Sequence, residues 1–121
     1  MSKNKMKNAN RFHIEKYKCG ECTTDYECSD VENSWTCPKC GFRIDIYAED
    51  DSGERGVFVR KRADEVEVGD LVRPYGFPIN KDFQVLGIHN LKGGILGIGL
   101  KEYTQIKLTP DECVSCRVGG W

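Results

Sequence analysis

The chain has 121 residues, 31% of them charged and 39% hydrophobic, with a net charge of -1, the composition of an ordinary globular protein. That length allows one domain or two very small ones, and a unit of roughly 40 residues needs a metal or disulfide to supplement its core. No run approaches the ~18 consecutive apolar residues of a membrane span, so no membrane partner is expected.

Residues 1–10 are polar and without periodicity, and are expected to form a disordered basic arm. Their positive charge has no apolar run behind it, unlike a secretory signal. A cytoplasmic location is therefore expected, where thiols stay reduced. Charge is segregated along the chain: +5 over residues 1–18, -7 over 19–56 and +1 over 57–121.

Residues 11–48 surround two Cys-x-x-Cys pairs, Cys19/Cys22 and Cys37/Cys40, with 14 residues between them. Seven cysteines is an odd number, which rules out complete disulfide pairing within one chain; in a reducing compartment paired cysteines read as metal ligands. Two residues between cysteines let one turn of chain bring both sulfurs to one ion, and two such knuckles complete a tetrahedron. Four thiolates close the coordination sphere, which points to a structural zinc with no open position for chemistry; iron in the same cage is the alternative. Gly41 follows the second knuckle, where its conformational freedom helps backbone N–H groups approach sulfur. The first knuckle has Thr23 in that place.

Residues 49–56 are charged, contain no large apolar side chain and include two glycines, and are expected as a linker. Residues 57–121 read as β-structure. Strands are expected over 57–62, 71–73, 83–89, 95–100, 103–108 and 113–118, with one helical turn at 63–66 and a Gly93-Gly94 hairpin turn. Short strands with turns every 8–12 residues suggest a small barrel. Leu96, Ile98 and Leu100 share one face of their strand, and Gly97 and Gly99 on the other suggest a bend or a close backbone approach.

Three further cysteines invite a second site. Cys113 and Cys116 are three apart in an expected strand, so they face opposite sides and do not chelate together; Cys116 is expected in the core beside Val114. Cys28 is expected as a packed thiol in a ribbon strand. His13 and His89 lack a partner at a catalytic spacing and read as surface or strand residues. No phosphate loop or nucleophile elbow occurs, and the chain is expected not to be an enzyme.

The run Tyr17-Lys18-Cys19-Gly20-Glu21-Cys22 with Trp35-Thr36-Cys37-Pro38-Lys39-Cys40-Gly41-Phe42 resembles the rubredoxin-like zinc ribbons, over about residues 12–48. That resemblance implies a ribbon fold and one metal, and says little of function. Val66-Glu67-Val68-Gly69-Asp70-Leu71-Val72 is similar to the first turn of SH3-like barrels and of Hint self-splicing modules. The Hint nucleophile has no counterpart, because Val57 opens the segment.

The expectation is an all-β chain, a zinc ribbon followed by a small SH3-like barrel, acting as a non-catalytic adaptor for a protein partner. A nucleic-acid binder is the alternative. It would use Lys3, Lys5, Lys7, Arg11, Lys16 and Lys18 on phosphates, with Arg60, Lys61 and Arg62 as a second cluster. An iron–thiolate electron carrier is the third reading.

Overall fold

The computed structural model describes residues 11–32, 34–74 and 77–120. The expected arm at 1–10, with Lys3, Lys5 and Lys7, lies outside the described residues. Nine strands run in chain order: β1 (Ile14–Cys19), β2 (Thr24–Tyr26), β3 (Asp45–Glu49), β4 (Arg55–Arg62), β5 (Leu71–Arg73), β6 (Phe83–Asn90), β7 (Leu96–Leu100), β8 (Gln105–Leu108) and β9 (Cys113–Gly119). One short helix, α1 (Cys28–Val31), and two 3-10 turns, Ala63–Glu65 and Lys92–Gly94, complete the elements among the described residues. The fold is all-β as expected. No described helix is long and apolar enough to cross a membrane.

The strands form one antiparallel sheet in the order β2-β1-β3-β4-β9-β5-β6-β7-β8. The expected barrel is not closed: among the described residues the ladder is linear, and β8 pairs with β7 alone. The expected linker is also revised at its ends. Glu49 closes β3 and Arg55 opens β4, and the two pair. Between them, Asp50 ties the turn by accepting hydrogen bonds from the N–H groups of Ser52 and Glu54, both at 3.0 Å. Charge and glycine there mark a hairpin turn.

β4 explains how one sheet carries two cores. Gly56 through Arg60 are all buried, so both faces of this strand are covered. Phe58 is in register with Ile46 and, through it, with Tyr17. These three belong to a core that also holds Phe12, Trp35, Ile44 and Ile79. Neighbouring Val59 points to the other face, in register with Cys116 and then Val72. Those residues join Val85, Leu96, Ile98 and Leu100 in the second core. The metal-site hairpins therefore cover one face of the β4–β9 ladder, and β6, β7 and β8 cover the other.

The glycines of β7 follow this packing. A Cβ at Gly97 would lie 2.6 Å from Gln105 Nε2 and 3.1 Å from Leu91 Cδ1, so side chains rather than the expected backbone fill that space, and at Gly99 the nearest backbone atom, Gly87 O, is at an ordinary 3.7 Å. Leu96, Ile98 and Leu100 are buried together, as their alternation requires.

Candidate metal centre

Cys19 ends β1, and the turn that follows carries Cys22 and leads into β2. Cys37 and Cys40 sit on the turn before β3, held by hydrogen bonds from Cys37 N to Phe42 O at 2.7 Å and from Gly41 N to Cys37 O at 2.9 Å. An isolated bridge between Thr36 and Arg43 closes this second hairpin. The four Sγ atoms all lie within 4.8 Å of one another, with Cys19–Cys40 at 3.5 Å and Cys22–Cys37 at 4.0 Å. A thiolate tetrahedron with bonds of roughly 2.3 Å has edges of roughly 3.8 Å, so this cluster fits one metal ion.

Hydrogen-bond donors around the sulfurs suit thiolates. Cys22 N lies 3.3 Å from Cys19 Sγ, and Lys39 N lies 3.4 Å from Cys37 Sγ. Tyr26 Oη is 3.2 Å from Cys37 Sγ, a contact the sequence reading did not include. Burial raises the Cys37 thiol, but Tyr26 and the backbone N–H groups of Cys40 and Lys39 outweigh it and bring the group down to about 6. Cys22 is pushed up to about 12, first by its hydrogen bond with Cys40. One sulfur favouring the anion while its neighbour holds a proton is what crowded thiols do, and a divalent cation takes the place of those protons.

The turn geometry explains the glycine difference between the knuckles. Gly41 has φ 79°, the left-handed value that suits glycine. Thr23 holds φ 50°, the same region, at a cost for a β-branched residue. Its hydroxyl donates to Cys22 O at 2.7 Å, tying the side chain to the knuckle.

The other cysteines do not join the site. Cys113 packs in the first core and Cys116 in the second, on opposite faces as alternation predicts. Burial pushes Cys113 up to about 11 and Cys116 up to about 12, so both are poor nucleophiles at neutral pH. Cys28 packs against the first core, as expected, but it opens α1 rather than lying in a strand, and its thiol is 3.7 Å from Glu32 Oε2. His13 is a surface residue 3.2 Å from Asp51, and His89 is exposed in β6.

Four of the candidate phosphate-binding residues hold carboxylates of this chain. Arg60 is fully buried and its guanidinium forks onto Glu15, with Nη1 donating to Oε1 at 3.1 Å and Nη2 to Oε2. Lys61 reaches Asp70 at 2.8 Å and Arg62 reaches Asp64 at 3.0 Å. Arg11 lies 3.1 Å from Glu32. Lys16 and Lys18 are exposed on β1, on the face away from Tyr17 and Cys19.

The Arg60–Glu15 pair anchors a buried network behind the metal site. Arg60 lies 4.2 Å over the Trp35 ring. Glu15 also accepts from Tyr17 Oη at 2.6 Å and from Phe12 N at 2.7 Å. Burial raises Glu15, yet Arg60, Tyr17 and the Phe12 N–H together hold it below its ordinary value of 4.5. In the sequence Arg60 reads as a surface cation; strand alternation, which puts it on the same side as Phe58, is the signal that could have shown it pointing inward.

Comparison with known proteins gives no match: no protein-family model, no curated protein and no solved structure is similar to this chain. The ribbon and SH3-like resemblances therefore rest on the residues quoted above.

Proposed function

We propose that this protein is a non-catalytic binding module, in which one zinc ion held by Cys19, Cys22, Cys37 and Cys40 staples the N-terminal hairpins and a protein partner docks on the assembled β-surface. The observation that carries this reading is the convergence of four sulfurs within 4.8 Å. Four thiolate ligands leave no coordination position for water or substrate, so the ion supplies stability rather than chemistry. Binding of this type contributes on the order of 10–16 kcal/mol of apparent free energy at neutral pH. The reading places the protein in a reducing compartment such as the cytoplasm, where the thiols remain available to metal.

The ion pairs favour a protein partner over nucleic acid. Arg11, Arg60, Lys61 and Arg62 each hold a carboxylate of this chain. Four thiolates on a divalent cation add a further charge of roughly -2 beside them. Fluorescence anisotropy of labelled single- and double-stranded nucleic acid against zinc-loaded protein, at low and near-physiological salt, tests the choice. The adaptor reading predicts no saturable binding. Binding at about micromolar concentrations that weakens steeply with salt, and is lost on deleting residues 1–10 or on replacing the exposed Lys16 and Lys18 by glutamine, would replace it with the nucleic-acid reading. The iron reading predicts a visible thiolate-to-iron absorption band in the purified protein, which a zinc protein lacks.

A further inference from the structure

We propose that the free edge of β8, with the slot beside it, receives an extended segment of the partner protein in which apolar and acidic residues alternate. This inference rests on the adaptor reading and names where such a partner would dock. Two separate features meet at this edge. First, among the described residues β8 ends the sheet and pairs with β7 alone, so one side of its backbone offers N–H and C=O groups for a further strand. Second, a slot of about 230 Å³ opens at the seam where the rolled sheet does not close. Its walls are Ile106 and Leu108 of β8 on one side and Val72 and Val114 of β5 and β9 on the other, with Tyr103 and Arg73 also lining it.

Side-chain alternation matches the two features to one ligand. Ile106 and Leu108 are half-buried toward the slot, while Gln105 and Lys107 are exposed. A strand added to β8 would point every second side chain into the apolar slot and the intervening ones outward beside Lys107. The slot's lining carries no carboxylate, and Lys107, the charged residue of β8, is exposed on the outward face. Acidic residues at the outward positions therefore complement this edge. A second copy of the chain does not fit as well, because pairing β8 with itself brings Lys107 toward Lys107.

Amide NMR of the zinc-loaded full chain tests this, with the capped hexapeptide Glu-Val-Glu-Val-Glu-Val as the probe. The expected result is saturable shifts at Gln105–Leu108, Tyr103 and Val114, with slowed amide exchange in β8. Lys107→Glu, a surface change, should weaken the probe by up to about fivefold, the upper range for an opposed charge pair. Of two probes, one with proline at the third residue and one with proline at the fourth, at least one should fail to bind, since alternate N–H groups of an added strand face β8. Absence of shifts up to about 5 mM probe would overturn the proposal, as would shifts away from β8 or indifference to Lys107→Glu and to proline. Concentration-dependent β8 shifts in the protein alone would also overturn it, by showing that the edge takes a second copy. A partner protein that binds Lys107→Glu as tightly as the parent chain would leave the adaptor reading standing while removing this one.

Discussion

Two single residues carry opposite kinds of strain relief around the metal site. Thr23 occupies a left-handed backbone region at φ 50°, where a β-branched residue is disfavoured by about 1–2 kcal/mol. Thr23→Gly removes that penalty but adds backbone entropy to the unfolded chain and loses the hydroxyl contact to Cys22 O. The expected net gain is up to about 1 kcal/mol, read from denaturant midpoints at saturating zinc. Glu15 works the other way, since its carboxylate compensates a buried guanidinium. Glu15→Gln leaves Arg60 uncompensated and is expected to cost about 3 kcal/mol at neutral pH. Because the folded state holds Glu15 below 4.5, its contribution is complete above that pH and is lost as pH falls through the lower folded value. The stability gap between parent and Glu15→Gln should therefore narrow as pH drops below 4.5; a gap that stays constant would remove the carboxylate from this role. The sequence reading placed Arg60 with Lys61 and Arg62 as one basic cluster. Adjacent strand residues point to opposite faces, and a run of three cations conceals that one of them is inside.

At the level of elements, each knuckle is a turn that ends a strand or hairpin, and the cysteine spacing made both legible. So were the strands of the second half and the opposite facing of Cys113 and Cys116, because these depend on local alternation and turn residues. The open seam was not legible. Closure depends on how far a rolled sheet curls, and strand count alone does not specify that. Nor was α1, which runs four residues, too short for a helical period to register. The hairpin at 50–54 was hidden for a similar reason: Asp50 ties its own backbone, and polar self-capping turns look like linkers in composition. The knuckles lead to a direct expectation. Cys37→Ser removes the thiol that the surrounding donors favour as an anion, and should abolish stoichiometric zinc retention with loss of amide-exchange protection in β1 and β2. Retained protection without metal would show that the hairpins stand on their apolar contacts.

Across the whole molecule, the two cores lie back to back on the β4–β9 ladder, with Phe58 in one and Val59 in the other. Coupling through a shared strand predicts that damage to either face is felt on both. Phe58→Ala should cost about 3–5 kcal/mol and reduce exchange protection in β7, which Phe58 does not face, through a single unfolding transition. Two separated transitions would instead mean that the halves fold independently. The same coupling would make an ion held by the four cysteines a support for the entire sheet, and elemental analysis of the purified chain by plasma mass spectrometry tests that premise most directly. One zinc per chain, retained through dialysis and lost in Cys37→Ser, is the predicted result; a metal-free chain that is nonetheless folded, or iron in stoichiometric amount, would contradict it.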